Sequence, residues 1–194
     1  MIEHDANDKT CPPRRSLRYD TPEELYLLLP EVQTLTKMRP RQDEGNLQYL
    51  YRLRSSTTPE EAVTFAAFAA LPSVACGWAY ECLRLMADLL SPYEKPMMQD
   101  IAAWVVSPTT AMRHRLMREA LFAPTRSPSV LLGLAVGWST GGPAPNDPMR
   151  QPAFRTPQVI NSAVLSGLAR SDLSRRPVLL ARFIDLAENL FGSY

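Results

Sequence analysis

The sequence predicts an all-α protein, and three observations predict it. Six dipeptides place a hydroxyl residue directly before proline, which suits a helix start because the hydroxyl caps free N–H groups and proline needs no hydrogen bond there. Three of the six have Glu at the third position after the hydroxyl residue, which completes the capping-box pattern. Between these starts, apolar residues recur at helical spacing. The six pairs are Thr21-Pro22, Thr58-Pro59, Ser91-Pro92, Ser107-Pro108, Ser127-Pro128 and Thr156-Pro157.

These starts divide the chain into about eight or nine antiparallel helices with short connections. They predict an irregular multi-helix bundle or an α-solenoid-like array. Segment 43–54 also alternates like a strand, but its helical neighbours favour a helix. Segments 59–70 and 128–139 are apolar nearly all round, which indicates buried helices. The predicted helices span residues 22–29, 43–54, 59–70, 74–90, 97–106, 108–122, 128–139, 157–168 and 177–191, with a further turn or two in 31–38.

The domain organisation follows from composition along the chain. Residues 1–20 contain few apolar side chains and predict a flexible N-terminal arm, whereas residues 21–194 predict a single helical domain with its core in 58–191. Between the last helices lies a segment that we call the Pro-rich loop (residues 141–155). Its prolines fix φ and lack N–H donors, so it joins neither a helix nor a sheet interior. A segment of this length without secondary structure is typical of a functional surface or a linker.

The overall composition is that of a globular protein. Apolar residues make up 45% of the 194 and charged residues 21%. No apolar run reaches the roughly 18 residues that a membrane span needs, and the polar N-terminus does not resemble a secretory signal, so we expect a cytoplasmic protein. Cys76 and Cys82 fall on apolar helical positions and are expected to be small, reduced core residues.

No motif indicates a catalytic, cofactor or metal site. Gly133 and Gly137 follow no strand and match no nucleotide-binding fingerprint, so we interpret them as a close helix contact. The two histidines, His4 and His114, are far apart in the sequence, and His114 lies among arginines that would repel a metal cation. We therefore predict a non-enzymatic protein without a cofactor.

Two alternatives remain open at this stage. Residues 111–182 contain ten arginines against three acidic residues, a pattern that also fits nucleic-acid binding through the C-terminal-half arginines. A small-ligand-binding protein or enzyme would need an interhelical pocket near Trp78, Trp104 and Cys82. The in-phase aliphatic neighbours of the tryptophans favour core positions instead.

Four segments follow one another in a distinctive order: EAVTFA (61–66), LPSVACGW (71–78), AWV (103–105) followed by Pro108, and GWSTGGPAP (137–145). Together they resemble a family of uncharacterised, all-helical bacterial proteins associated with type VI secretion gene clusters. The resemblance covers about residues 58–191, implies the fold and transfers no catalytic residue.

Together these observations predict a helical adaptor or accessory protein that binds a protein partner. A rigid scaffold that presents a proline-stiffened loop loses little entropy on binding. The predicted partner-binding residues lie in the Pro-rich loop and on helix 108–122. They are Pro143, Pro145, Asn146, Asp147, Pro148, Arg150, Arg155, Arg113 and Arg118.

Overall fold

The computed structural model describes residues 16–144, 147 and 149–191. In this part of the chain the secondary structure is helical apart from one isolated bridge, which confirms the all-α prediction. Two 3-10 helices, Ala87–Leu89 and Pro92–Glu94, precede α6. The α-helices are α1 (Pro22–Leu28), α2 (Val32–Leu35), α3 (Asn46–Arg54), α4 (Glu60–Ala69), α5 (Pro72–Arg84), α6 (Lys95–Val106), α7 (Thr110–Phe122), α8 (Pro128–Trp138), α9 (Arg155–Ala169) and α10 (Arg176–Phe191).

Helix α8 is the central element, as its apolar sequence predicts. It packs against α7 and α9 most extensively, and also against α5 and α6. Its glycines permit the close approach: a Cβ on Gly137 would lie 2.5 Å from the Cβ of Met117 on α7, and one on Gly133 would lie 2.7 Å from the Sδ of Met97 on α6. These two residues are therefore a helix-packing face, which confirms their interpretation from sequence.

A series of four contacting aromatic rings joins the N-terminal helices to α10. The ring centroids of Tyr26 and Tyr49 are 5.9 Å apart, those of Tyr49 and Phe65 are 4.9 Å apart, and those of Phe65 and Phe191 are 5.4 Å apart. The Tyr26 and Tyr49 hydroxyls share a 2.8 Å hydrogen bond. Both phenols thus have a polar partner although their rings are buried.

Residues 16–18 lie along the end of α4 rather than in a free arm. Leu17 is buried and forms an antiparallel bridge with Ala70. On either side, Arg18 N donates to Ala69 O and Leu71 N donates to Ser16 O, both at 2.8 Å. The helical fold therefore includes these residues of the predicted arm, and residues 1–15 lie outside the described residues.

Not every hydroxyl-proline pair begins its helix as predicted. Thr21 does, because its Oγ1 accepts from Glu24 N at 3.1 Å. Helix α7, however, begins at Thr110 with Thr109 as its cap, since the Oγ1 of Thr109 accepts from Met112 N. Thr156 lies inside α9 and donates instead to Trp138 O, which ties α9 to the end of α8.

The helix predicted for 74–90 is shorter than expected. Helix α5 ends at Arg84, and a 3-10 turn follows at Ala87–Leu89. The chain leaves the helix at Met86, which is fully buried with its Cε 2.8 Å from the Cβ position of Gly167 on α9. Met86 itself has φ −110° and ψ 23°, which is outside the α-helical region, so the helix ends before it.

A buried ion pair holds the start of α6 to the end of α9. Arg170 Nη1 lies 2.6 Å from Glu94 Oε2, with the Glu94 side chain only 4% exposed and that of Arg170 35% exposed. Ser91 N donates to the same carboxylate at 2.9 Å. Burial tends to raise the pKa of Glu94, but the hydrogen bonds from Arg170 and Ser91 outweigh it and hold this pKa below its ordinary value.

Candidate partner-binding cleft

Arg113, one of the predicted partner-binding residues, lies beneath the C-terminal end of α8 and not on the surface. It is 9% exposed, and its Nη1 donates to Gly137 O at 2.6 Å. A cation on the last carbonyls of a helix is favourable because those groups carry partial negative charge. The guanidinium also packs against Gly141, where a Cβ would lie 2.8 Å from its Nη1. Arg113 therefore fixes the point at which the Pro-rich loop begins.

His114 is coupled to Arg113. Its Nε2 lies 2.8 Å from Arg113 Nη2, and since a guanidinium only donates, Nε2 is the acceptor and the ring is neutral. Partial desolvation and then the charges of Arg113 and Arg118 lower the pKa of His114. The ring thus adds no positive charge to this region at neutral pH.

The described part of the Pro-rich loop is folded onto the scaffold. Trp138 Nε1 donates to Pro143 O at 3.3 Å, and Asp147 N donates to Ala144 O at 3.1 Å. Asp147 Oδ1 accepts from Met149 N at 2.9 Å. At Gly142 a Cβ would overlap the Asp147 carbonyl oxygen, so this glycine permits the loop to turn back on itself. Of the predicted loop residues, Pro145, Asn146 and Pro148 lie outside the described residues.

The far end of the loop is held by the N-terminal segment. Arg18 Nη1 donates to Ala153 O at 3.0 Å, and its Nε donates to Ala70 O at 3.2 Å. Helix α9 begins at Arg155, two residues before the predicted helix start at 157, and Arg155 Nη1 donates to Gln151 Oε1 at 3.3 Å. Both ends of the loop are therefore attached to helices.

Between these attachments lies an open cleft of about 580 Å³, which we call the loop cleft. Its walls come from the N-terminal segment, the start of α5, the end of α8, the loop and the start of α9. It is lined by Arg18, Tyr19, Leu71, Pro72, Trp138, Ser139, Thr140, Gly141, Arg150, Gln151, Pro152, Ala153 and Thr156.

Of the exposed arginines that were predicted to bind a partner, one lines this cleft and two do not. Arg150 is exposed and lines it. Arg118 on α7 and Arg155 at the start of α9 are exposed but are not among its lining residues. Sequence reasoning missed Arg18 and Gln151, because only the folded chain brings residues 18, 71, 138 and 151 together.

Many of the remaining arginines bind within the chain. Arg115 pairs with Asp100, Arg170 with Glu94 and Arg175 with Asp88. Arg126 donates to the carbonyls of Ala120 and Leu121 and Arg176 to those of Ser171 and Ala169, near the ends of α7 and α9. These contacts explain much of the arginine excess of this half as internal packing.

The predicted alternative pocket region is densely packed. Trp78 and Trp104 are buried, and Trp78 Nε1 donates to Phe183 O at 3.0 Å. Cys76 and Cys82 are buried free thiols, and burial raises the pKa of both. Two further clefts, of about 900 and 300 Å³, lie beside Arg170 and beside Met98 respectively, and neither is lined by these tryptophans or cysteines.

The described residues contain no group of three or more His, Cys, Asp or Glu side chains placed to hold a metal ion. Within the same ranges, every helix is too short or too polar to cross a bilayer.

The sequence model of a family of unknown function (DUF6931) matches residues 49–191. The chain belongs to this family. Its match begins within α3 and covers α4 to α10, so the DUF6931 region supplies most of the loop cleft, while Arg18 and Tyr19 come from the preceding segment. The predicted resemblance to an uncharacterised family is thereby confirmed. No curated protein and no solved structure shows significant similarity to the chain.

Proposed function

We propose that this DUF6931 protein is a non-enzymatic helical adaptor that binds a partner protein through the loop cleft and the Pro-rich loop. The observation that carries the proposal is the attachment of the loop at both ends beside an open cleft. Trp138 holds its first part, and Arg18 holds its last part. A linker that only connects two helices has no need of these contacts.

Preorganisation of the loop favours binding of a partner. Ordering a flexible loop on binding lowers affinity, whereas a loop already held in place loses little entropy. Prolines restrict the loop further by fixing φ. The buried Arg113 adds to this rigidity because it holds the last turn of α8 from below.

We place this adaptor in the cytoplasm, as an accessory component of a bacterial type VI secretion system. This setting rests on the resemblance carried by the segments 61–66, 71–78 and 137–145. The matched family has no assigned function. The setting is therefore part of the proposal and is tested together with the partner.

A photo-crosslinking experiment tests the proposal. A benzophenone amino acid replaces Met149 in the loop, which is 68% exposed, and in the control it replaces Val178 on α10, which is 58% exposed and does not line the cleft. After irradiation in the native host, we expect a discrete protein adduct from position 149 and not from position 178. Mass spectrometry then shows whether the adduct contains a secretion-system component.

Two variants relate the adduct to loop stiffness. Pro143→Gly and Pro152→Gly restore backbone freedom, so the yield of the adduct from position 149 should fall while helix content by circular dichroism stays unchanged. The proposal is wrong if positions 149 and 178 give the same adducts. A nucleic-acid adduct in place of a protein would support the arginine alternative.

A further inference from the structure

The loop cleft carries positive charge without a visible counter-charge. Arg18 gives two of its donors to neutral backbone carbonyls, those of Ala70 and Ala153. Arg150 makes no hydrogen bond or ion pair with any described residue. No Asp or Glu stands among the described residues that line the cleft. Two guanidinium groups therefore lie at one open site, and no described residue that lines it supplies a negative charge.

Gln151 adds an unused donor on the same wall. Its Oε1 accepts from Arg155, but its Nε2 is buried and has no hydrogen-bond partner. Most buried polar side-chain atoms in proteins are paired, so an unpaired amide beside a cleft needs an explanation. An acceptor atom brought by a ligand, with a small movement of the loop, would provide one.

The backbone around the cleft has the same polarity. Helices α5 and α9 both begin at its wall, and their cap residues, Leu71 and Phe154, make no side-chain capping bond. The first turns of both helices thus present partial positive charge. The opposite wall is the negative end of α8, but Arg113 already lies on its Gly137 carbonyl.

From this arrangement we infer that the loop cleft binds a carboxylate of an acidic peptide segment on the partner protein, with Arg150 as its main ligand. This inference rests on the proposed function and names the chemistry of the partner. Arg18 supplies the second positive charge, and Gln151 Nε2 supplies the neutral donor. The two oxygens of a carboxylate match the planar fork of a guanidinium.

The size of the site favours a short peptide over a nucleic acid. A volume of about 580 Å³ is typical of a pocket that encloses a small ligand or a few side chains. Binding of single-stranded nucleic acid uses a long groove with repeated cations along the backbone. Here two arginines lie at one compact site.

A titration of the full chain with matched peptides tests the inference. The probes are acetyl-Ala-Glu-Glu-Ala-amide and acetyl-Ala-Gln-Gln-Ala-amide, which differ in charge but hardly in shape. Binding is followed by backbone amide resonances in ¹⁵N-labelled protein. We expect saturable shifts at residues 138–141 and at residues 150, 151 and 153 with the Glu peptide, and none with the Gln peptide.

Variants of exposed arginines identify the ligand. Arg150→Ala should weaken binding of the Glu peptide about tenfold or more, because it removes a charge-assisted hydrogen bond. Arg150→Lys should retain part of the affinity. The control Arg182→Ala removes an exposed charge from α10 outside the cleft and should leave affinity unchanged. Arg150 makes no contact that the fold requires, so unfolding does not confuse the result.

Several outcomes would overturn the inference. They are equal binding of the Gln peptide, undiminished binding by Arg150→Ala, and tighter binding of inorganic phosphate or of hexathymidylate than of the Glu peptide. The proposed function is judged separately. A protein adduct from Met149 without peptide binding leaves the adaptor in place and refutes the carboxylate. Peptide binding without any protein adduct supports the carboxylate site and refutes the adaptor.

Discussion

The same substitution, Gly→Ala, is expected to raise stability at one helical glycine, to leave it nearly unchanged at a second and to lower it at a third. At Gly77 on α5 an added Cβ would lie 3.8 Å from the Cγ1 of Val105, an ordinary contact. At Gly133 the nearest atom is the Met97 Sδ at 2.7 Å, the flexible end of a side chain. At Gly137 the Cβ would meet Met117 at its Cβ (2.5 Å) and also at its Cα (3.0 Å), which cannot move without the backbone of α7.

The magnitudes follow from two opposing effects. Alanine in a helix interior is favoured over glycine by about 0.5–1 kcal/mol. Forcing extra atoms into a packed core costs about 1–3 kcal/mol. We therefore expect Gly77→Ala to raise the free energy of unfolding by up to about 1 kcal/mol, since no overlap opposes the gain. Gly133→Ala should be near neutral, because the thioether can move, and Gly137→Ala should lose about 1–2 kcal/mol.

Urea unfolding followed by circular dichroism at 222 nm measures all three values. In a protein of this size, 1 kcal/mol corresponds to a shift of about 2–4 °C in Tm, so thermal scans provide a second measurement. The decisive result is a free energy of unfolding that is higher than wild type for Gly77→Ala and lower than wild type for Gly137→Ala. Equal stabilities of these two variants would show that α7 and α8 do not approach as closely as described.

Two further predictions concern buried groups. Arg170→Ala should destabilise the fold by about 2 kcal/mol at pH 7, and by more than Glu94→Gln, because it leaves a buried carboxylate without its cation. The pKa of Glu94 is lower in the folded than in the unfolded state. The ionised carboxylate therefore stabilises the fold above its ordinary pKa of 4.5, and this stabilisation is lost as the pH falls through the folded pKa. Glu94→Gln should accordingly reduce the loss of stability on the acid side of a stability-against-pH curve. Identical curves for wild type and Glu94→Gln would contradict this sign. In a Cys11→Ser background, the buried Cys76 and Cys82 should react with a thiol reagent only after urea unfolding, and rapid reaction of the folded protein would show that they are accessible.

Helix order and core positions were largely predictable from the sequence because they depend on local patterns. The apolar segment 128–139 predicted the central helix α8, and Gly133 and Gly137 predicted its close contact with a neighbour. Local patterns also place helix starts within a few residues. They did not distinguish Ser107 from Thr109 as the cap of α7, since both are hydroxyl residues in the same turn.

The loop cleft was not predictable because its walls come from distant parts of the chain. Arg113 shows the same limit. Its charge led to the prediction that it lies on the exposed face of α7, yet Leu116, Met117 and Ala120 at the same helical spacing are buried. The end of α8 passes over Arg113, where Gly137 and Gly141 have no side chains. A charged side chain at a buried helical position needs a hydrogen-bond partner, and here that partner is the Gly137 carbonyl of another helix, which the sequence does not indicate. Arg18 appeared to belong to a flexible arm for the same reason.

The series of aromatic rings has a consequence for synthesis on the ribosome. Phe65 is translated long before Phe191, the ring that covers it at 5.4 Å. Until α10 emerges, the apolar face of Phe65 stays open to water, and such incomplete intermediates attract chaperones and aggregate. We therefore expect nascent chains arrested before residue 176 to be held by chaperones, and chains that include α10 to be released.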